Sequence, residues 1–126
     1  MYMVRFIMAD GTPDQEYLYH RKEDAEYHLG LFSNDDADLY FAIQLLYEDK
    51  IIVNRVLGFS AEEMKTVLMK GCPDQIDICT ALRQKEHEAH CDQEAEQLIL
   101  LRLKIERLSY DTFSRFIQIM KDVLQK

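Results

Sequence analysis

Tyr40-Phe41-Ala42-Ile43-Gln44-Leu45-Leu46-Tyr47-Glu48-Asp49-Lys50-Ile51-Ile52-Val53-Asn54-Arg55-Val56-Leu57 is the stretch on which the fold turns. Written as extended chain, its first half places Phe41, Ile43, Leu45 and Tyr47 on one face, because side chains alternate across a strand. Glu48-Asp49-Lys50 then supplies a polar turn. The second half is β-branched and alternates Ile51, Val53, Arg55 and Leu57 against Ile52, Asn54 and Val56, the pattern of a half-buried antiparallel partner. A helix from near Asp35 to near Tyr47 is the competing reading, since a short apolar run satisfies either period. We read the stretch as a hairpin.

Upstream, Tyr2-Met3-Val4-Arg5-Phe6-Ile7-Met8 is rich in strand formers, and Asp10-Gly11 offers the left-handed backbone that a tight turn needs. The return strand is Gln15–His20, with Pro13 near the turn, where a missing amide does no harm. From Arg21 the period lengthens: Ala25, Leu29 and Phe32 form one helical stripe, with Lys22, Glu23, Asp24 and Glu26 off it. Residues 1–59 therefore predict a ββαββ unit with one packed helix.

Downstream the chain turns helical. In Phe59-Ser60-Ala61-Glu62-Glu63-Met64, Ser60 and Glu63 have capping-box spacing and Phe59 is placed to staple onto Met64. That helix is expected to stop at Gly71, with Cys72-Pro73-Asp74 starting the next. Ile76, Cys79 and Leu82 begin a stripe, residues 83–97 are almost entirely polar, and Leu98, Leu101, Ile105 and Leu108 resume it. One helix of roughly 35 residues would run about 50 Å, too long for this domain to cover, so the polar middle must break or protrude. Ser109 and Asp111 offer a cap for a last helix, whose stripe is Phe113, Phe116, Ile117, Met120 and Leu124. The expectation is an α+β fold: a four-stranded antiparallel sheet in ββαββ order with one packed helix, then three to four helices ending in a helical hairpin. Residues 1–126 are expected to form a single domain with a ββαββ subunit (1–59) and a helical subunit (60–126).

The chain has 126 residues, 23 acidic and 15 basic, for a net charge of −8. That sign opposes a phosphate backbone, so direct nucleic-acid binding is not expected. The charge is uneven: net −6 over residues 1–59 and −2 over the remainder. No apolar run approaches a membrane span, and Met1–Arg5 does not open a secretory signal, so a cytoplasmic location is expected. Three cysteines, an odd number, argue for reduced thiols rather than a disulfide framework.

Chemistry-bearing motifs are sparse. His87-Glu88-Ala89-His90-Cys91, with Cys79 upstream, makes Cys79, His87, His90 and Cys91 the candidates for a metal site. On a helix His87 and Cys91 lie one turn apart, but the spacing is not that of a zinc protease, and the plain alternative is two solvated histidines and a core cysteine. Asn34-Asp35-Asp36-Ala37-Asp38 spaces oxygens as a calcium loop does, yet lacks the turn glycine and distal glutamate. Glycines at 11, 30, 58 and 71 permit no glycine-rich phosphate loop. No nucleophile motif accompanies the four histidines, so neither an enzyme nor a cofactor is expected.

What is left is surface. Asp10, Asp14, Glu16, Asp35, Asp36, Asp38, Glu48 and Asp49 are the candidate acidic face for a protein partner such as a basic nucleic-acid-binding protein, whose groove they would occupy in place of phosphate. In size and charge the chain resembles small inhibitors of bacterial defence systems, and that likeness is compositional. The second expectation is a structural homodimer. Leu98, Leu101, Ile105, Leu108, Phe113, Phe116, Ile117, Met120 and Leu124 would supply its interface, with Ile99, Leu100 and Leu103 widening the stripe.

Overall fold

A computed structural model describes residues 1–69 and 74–125. The strands are β1 (Tyr2–Met8), β2 (Gln15–Tyr19), β3 (Tyr40–Tyr47) and β4 (Lys50–Val56). The helices are α1 (Lys22–Gly30), α2 (Ala61–Met69), α3 (Gln75–Glu88), α4 (Asp92–Arg107) and α5 (Tyr110–Leu124), with a 3₁₀ turn at Asn34–Asp36. The sheet is antiparallel throughout, in the order β2-β1-β3-β4. The fold is α+β, with a four-stranded antiparallel sheet in ββαββ order and four helices following it.

Both faces of the central strands are covered, which explains why β3 is buried from Phe41 to Leu46 and reads as an apolar run interrupted only by Gln44. On one face Ala25 of α1, with Leu29 and Phe32, closes over Val4, Phe6, Ile43 and Leu45. On the other, Phe113, Phe116 and Met120 of α5 join Ile7, Phe41, Ala42 and Val56. That same cluster takes in Leu82, Leu101 and Ile105, so apolar packing runs continuously from sheet to helices across Gly58.

Strict alternation fails at two places. Between Ile7 and Met8 the pairing jumps from Ala42 to Tyr40, leaving Phe41 as the extra residue. Phe41 thus leaves the Ile43 and Leu45 face, on which alternation put it, and stacks on Phe116 with centroids 5.3 Å apart. A second shift at Leu45/Leu46 pairs Ile51 with Leu46 and Val53 with Leu45, putting Ile51 and Val53 on opposite faces.

Local signals set the element ends. Ser60 N–H donates to Glu63 Oε1 at 2.9 Å and Glu63 N–H to Ser60 Oγ at 3.1 Å, while Phe59 and Met64 are both buried, completing the capping box and its apolar staple. Asp74 caps α3 through the amides of Ile76 and Asp77. The expectations for Gly71, Cys72 and Pro73 lie outside the described residues. Asp10-Gly11 sits in a six-residue connection rather than a two-residue turn, with Gly11 at φ 82°.

The polar stretch 83–97 is helix on either side of a break at Ala89–Cys91, where the backbone is extended at both caps. Most of its side chains are exposed, Glu86, Ala89 and Ala95 being half-buried. This locates the helical hairpin differently from the expectation: α4 packs most closely on α3, not on α5. Glu86 and Arg102 bridge α3 and α4 at 2.7 Å, and the Gln75 amide donates to the carbonyls of Ile105 and Leu108, satisfying the end of α4. α5 instead lies on the sheet, its start tied to β1 by Ser109 N–H to Ala9 O at 3.0 Å and Thr112 Oγ1 to Met8 O at 2.7 Å.

Candidate functional site

The eight carboxylates of the candidate acidic face do not form one face. Asp10 lies in the β1–β2 connection and Asp35, Asp36 and Asp38 in and after the 3₁₀ turn, all at the end of the sheet where β1 finishes and β3 starts. Glu48 and Asp49 form the β3–β4 turn at the opposite end, roughly 20 Å away by strand length. Asp14 and Glu16 are spent on structure: Asp14 meets Arg115 of α5 at 2.8 Å, and Glu16 meets Arg5 at 3.2 Å.

At the first end the carboxylates differ in what they do. Asp36 Oδ2 accepts from Ser33 N–H at 2.8 Å and closes a capping box on the 3₁₀ turn, which accounts for the calcium-like spacing without a cation. Asp38 meets Arg107 at 3.3 Å, and both are largely exposed, so the pair contributes little to stability. Asp10 Oδ1 accepts from the amide and hydroxyl of Thr12, and these bonds hold its carboxyl below the ordinary aspartate value. Asp10 and Asp35 have no ion-pair partner among the described residues.

Beside this end opens a cleft of about 480 Å³, with Asp10 and Asp38 at its rim and Phe41, Leu57 and Phe59 along its wall. Lys104 crosses it from α4 to reach both Glu63 oxygens, at 2.9 and 3.0 Å, with its ammonium 5.6 Å from the centre of the Phe59 ring. Glu63 therefore serves twice, as the capping-box acid of α2 and as the anchor of a cation from α4. Capping-box spacing flagged Glu63 in the sequence, but nothing in the local pattern pointed to Lys104, 41 residues away.

Most of the proposed homodimer interface is turned inward. Leu101, Ile105, Leu108, Phe113, Phe116 and Met120 are buried in the chain's own core, and Leu98, Ile117 and Leu124 pack partly against it. An amphipathic stripe reports that a face is covered without reporting by what. The apolar residues left on α4 are those off the stripe, Ile99, Leu100 and Leu103, all exposed.

The metal candidates are dispersed. Cys79 is half-buried in mid-α3, His87 is exposed near its end, and His90 and Cys91 are exposed in the following turn. Cys79 and Cys91 are separated by more than two turns of α3, and among the described residues no group of three or more His, Cys, Asp or Glu side chains is close enough to hold a metal ion. Burial, reinforced by Glu106, pushes the Cys79 thiol up from its ordinary value. No helix among the described residues is long and apolar enough to cross a membrane. Comparison with protein-family models, curated proteins and solved structures returns no match.

Proposed function

We propose that this chain is a non-enzymatic binding module whose acidic end recognises a basic protein. The observation that carries this reading is the gathering of Asp10, Asp35, Asp36 and Asp38 at one end of the sheet, next to an open cleft, with Asp10 and Asp35 unpaired among the described residues. Carboxylates so placed accelerate encounter with a positively charged surface and make the association sensitive to salt. The finer reading is an inhibitor acting in the cytoplasm: the partner is a nucleic-acid-handling protein, and the carboxylates take the place of phosphates in its basic groove.

The test is capture of partners from a lysate of the source organism at low and high salt, with the wild-type chain and a D35K/D38K variant side by side. Asp36 and Asp14 are left intact because they hold Ser33 and Arg115. The expected result is a basic protein that is retained at low salt, released at high salt and lost from the variant. Retention by the variant, or binding indifferent to salt, overturns the reading.

A further inference from the structure

The cleft at the acidic end is half of a longer feature. A second cleft, about 520 Å³, lies between α2 and α4 over Leu98, Leu100 and Leu101, and Ser60, Glu63 and Lys104 line both. The two are one groove crossed at its middle by the Glu63–Lys104 pair. Along α4 the groove extends from Glu94 to Leu108, about 20 Å at the helical rise.

Its chemistry is an apolar floor under an acidic rim. Asp10, Asp38, Glu62, Glu63 and Glu94 stand against two cations, Lys104 and Arg107, and those are already held by Glu63 and Asp38. Glu62 and Glu94 make no ion pair among the described residues. The chain itself shows what such a site accepts: the Lys104 ammonium lies on a carboxylate and over an aromatic ring, an arrangement favourable on both counts. An incoming Lys or Arg finds carboxylates at either end, Asp10 and Asp38 in one half and Glu62 and Glu94 in the other, with aromatic rings in the first half alone; a leucine-sized side chain finds Phe41 and Leu57 in that half and Leu98 and Leu101 in the other.

We propose that this groove seats a peptide segment of the basic partner, one in which Arg or Lys side chains are interleaved with large apolar ones. The inference rests on the reading of the chain as a binder of basic proteins and adds the segment by which the partner is held. The excess of rim carboxylates selects for positive charge, and the floor selects against a merely charged chain, because burying its apolar side chains adds affinity that survives salt.

The experiment uses the full chain and a fluorescein-labelled probe of about eight residues alternating Leu and Arg, long enough to span the groove when extended. Arg/Ser and Glu/Leu peptides of the same length are the comparisons. Anisotropy should show the Leu/Arg probe binding at least about tenfold tighter than Arg/Ser, and the Glu/Leu peptide not binding. Amide shifts in NMR should concentrate on Ser60, Glu63, Leu98 and Lys104. An E62Q/E94Q variant, which keeps the side-chain acceptor that Glu94 presents to His90 N–H, should weaken the probe about fivefold with an unchanged thermal melt. Equal binding of Arg/Ser and Leu/Arg, or no binding of either, overturns the groove. Shifts confined to Asp35 and Asp36, which line neither cleft, also overturn it while leaving the broader reading standing. Groove binding of the probe together with a captured partner indifferent to D35K/D38K would retain the α2–α4 half of the groove and remove the acidic end, Asp38 included.

Discussion

At Glu48 and Asp49 the backbone enters the left-handed region, with φ 51° and 66°, in a two-residue loop joining Tyr47 to Lys50. This is the hairpin geometry that matches strand twist, and it suits Asn-Gly better than two acidic residues, each of which costs about 1 kcal/mol in that conformation. The Glu48 contact with the N-terminal amine, 3.4 Å long and exposed, offsets little of this. An E48N/D49G variant should therefore gain about 1–2 kcal/mol, read as a rise of several degrees in Tm. Gly11 is the opposite case. At φ 82° it packs so closely on the α4–α5 link that an added Cβ would lie 2.4 Å from Ser109 Oγ, the atom that caps α5. Gly11→Ala should cost about 2–3 kcal/mol through backbone strain and a weakened cap, measured by urea denaturation. Gly30→Ala, with nothing within 4 Å of the new atom, should leave stability unchanged or slightly raised. The turn at Gly11 was legible in the sequence; the serine 98 positions away that crowds it was not.

At the scale of elements, a polar row crosses the sheet and is buried at Gln44. Glu16 pairs with Arg5, Arg5 with Gln44 and Gln44 with Asn54, one residue from each strand in register on the α5 side. Gln44, only 3% exposed, donates to Asn54 Oδ1 at 3.3 Å, while Gln44 Oε1 and Asn54 Nδ2 have no partner among the described residues. A buried amide pair bonded once is poorly compensated. Gln44→Leu alone should cost about 1–3 kcal/mol by stranding Asn54, and the Q44L/N54L double variant should recover most of that loss in a double-mutant cycle on thermal stability. The sequence reading passed over Gln44, the one amide inside Tyr40–Tyr47, and its row appeared only once three registers were known. Helix pairing had the same limit. The α4 and α5 stripes are plain in the sequence, and each would fit a hairpin with the other; the bonds from Gln75 and Glu86 are what commit α4 to α3.

For the whole molecule, the question that separates a self-contained chain from a helical dimer is where the leucines of α4 go. Leu101 is 3% exposed and Leu100 is 51% exposed, although they are neighbours. Leu101→Ala should cost about 2–5 kcal/mol in unfolding free energy, the range for a cavity in a packed core. Leu100→Ser should change stability by no more than about 0.5 kcal/mol. A helical dimer closed through α4 would instead make the cost of Leu101→Ala depend on protein concentration, which a dilution series of melts would reveal. The same placement leaves Leu100 exposed along the cleft between α2 and α4, with Leu101 beneath it in the core.

Element identity was determined locally. Strand-forming runs, a period change at Arg21, the Ser60–Glu63 box and the Ser109 cap each act within a few residues, so the antiparallel ββαββ sheet and the helices after it could be read directly from the chain. What the tertiary structure alone decided is which faces meet. Two register shifts moved Phe41 and Ile51 off the faces that alternation assigned them, six of the eight carboxylates were divided between opposite ends of the sheet and the other two taken into ion pairs, and Lys104 was brought onto Glu63. Periodicity records that a side is covered and charge records that a side is wet; neither carries the identity of a neighbour tens of residues away, because that is settled by the shape of the shared core.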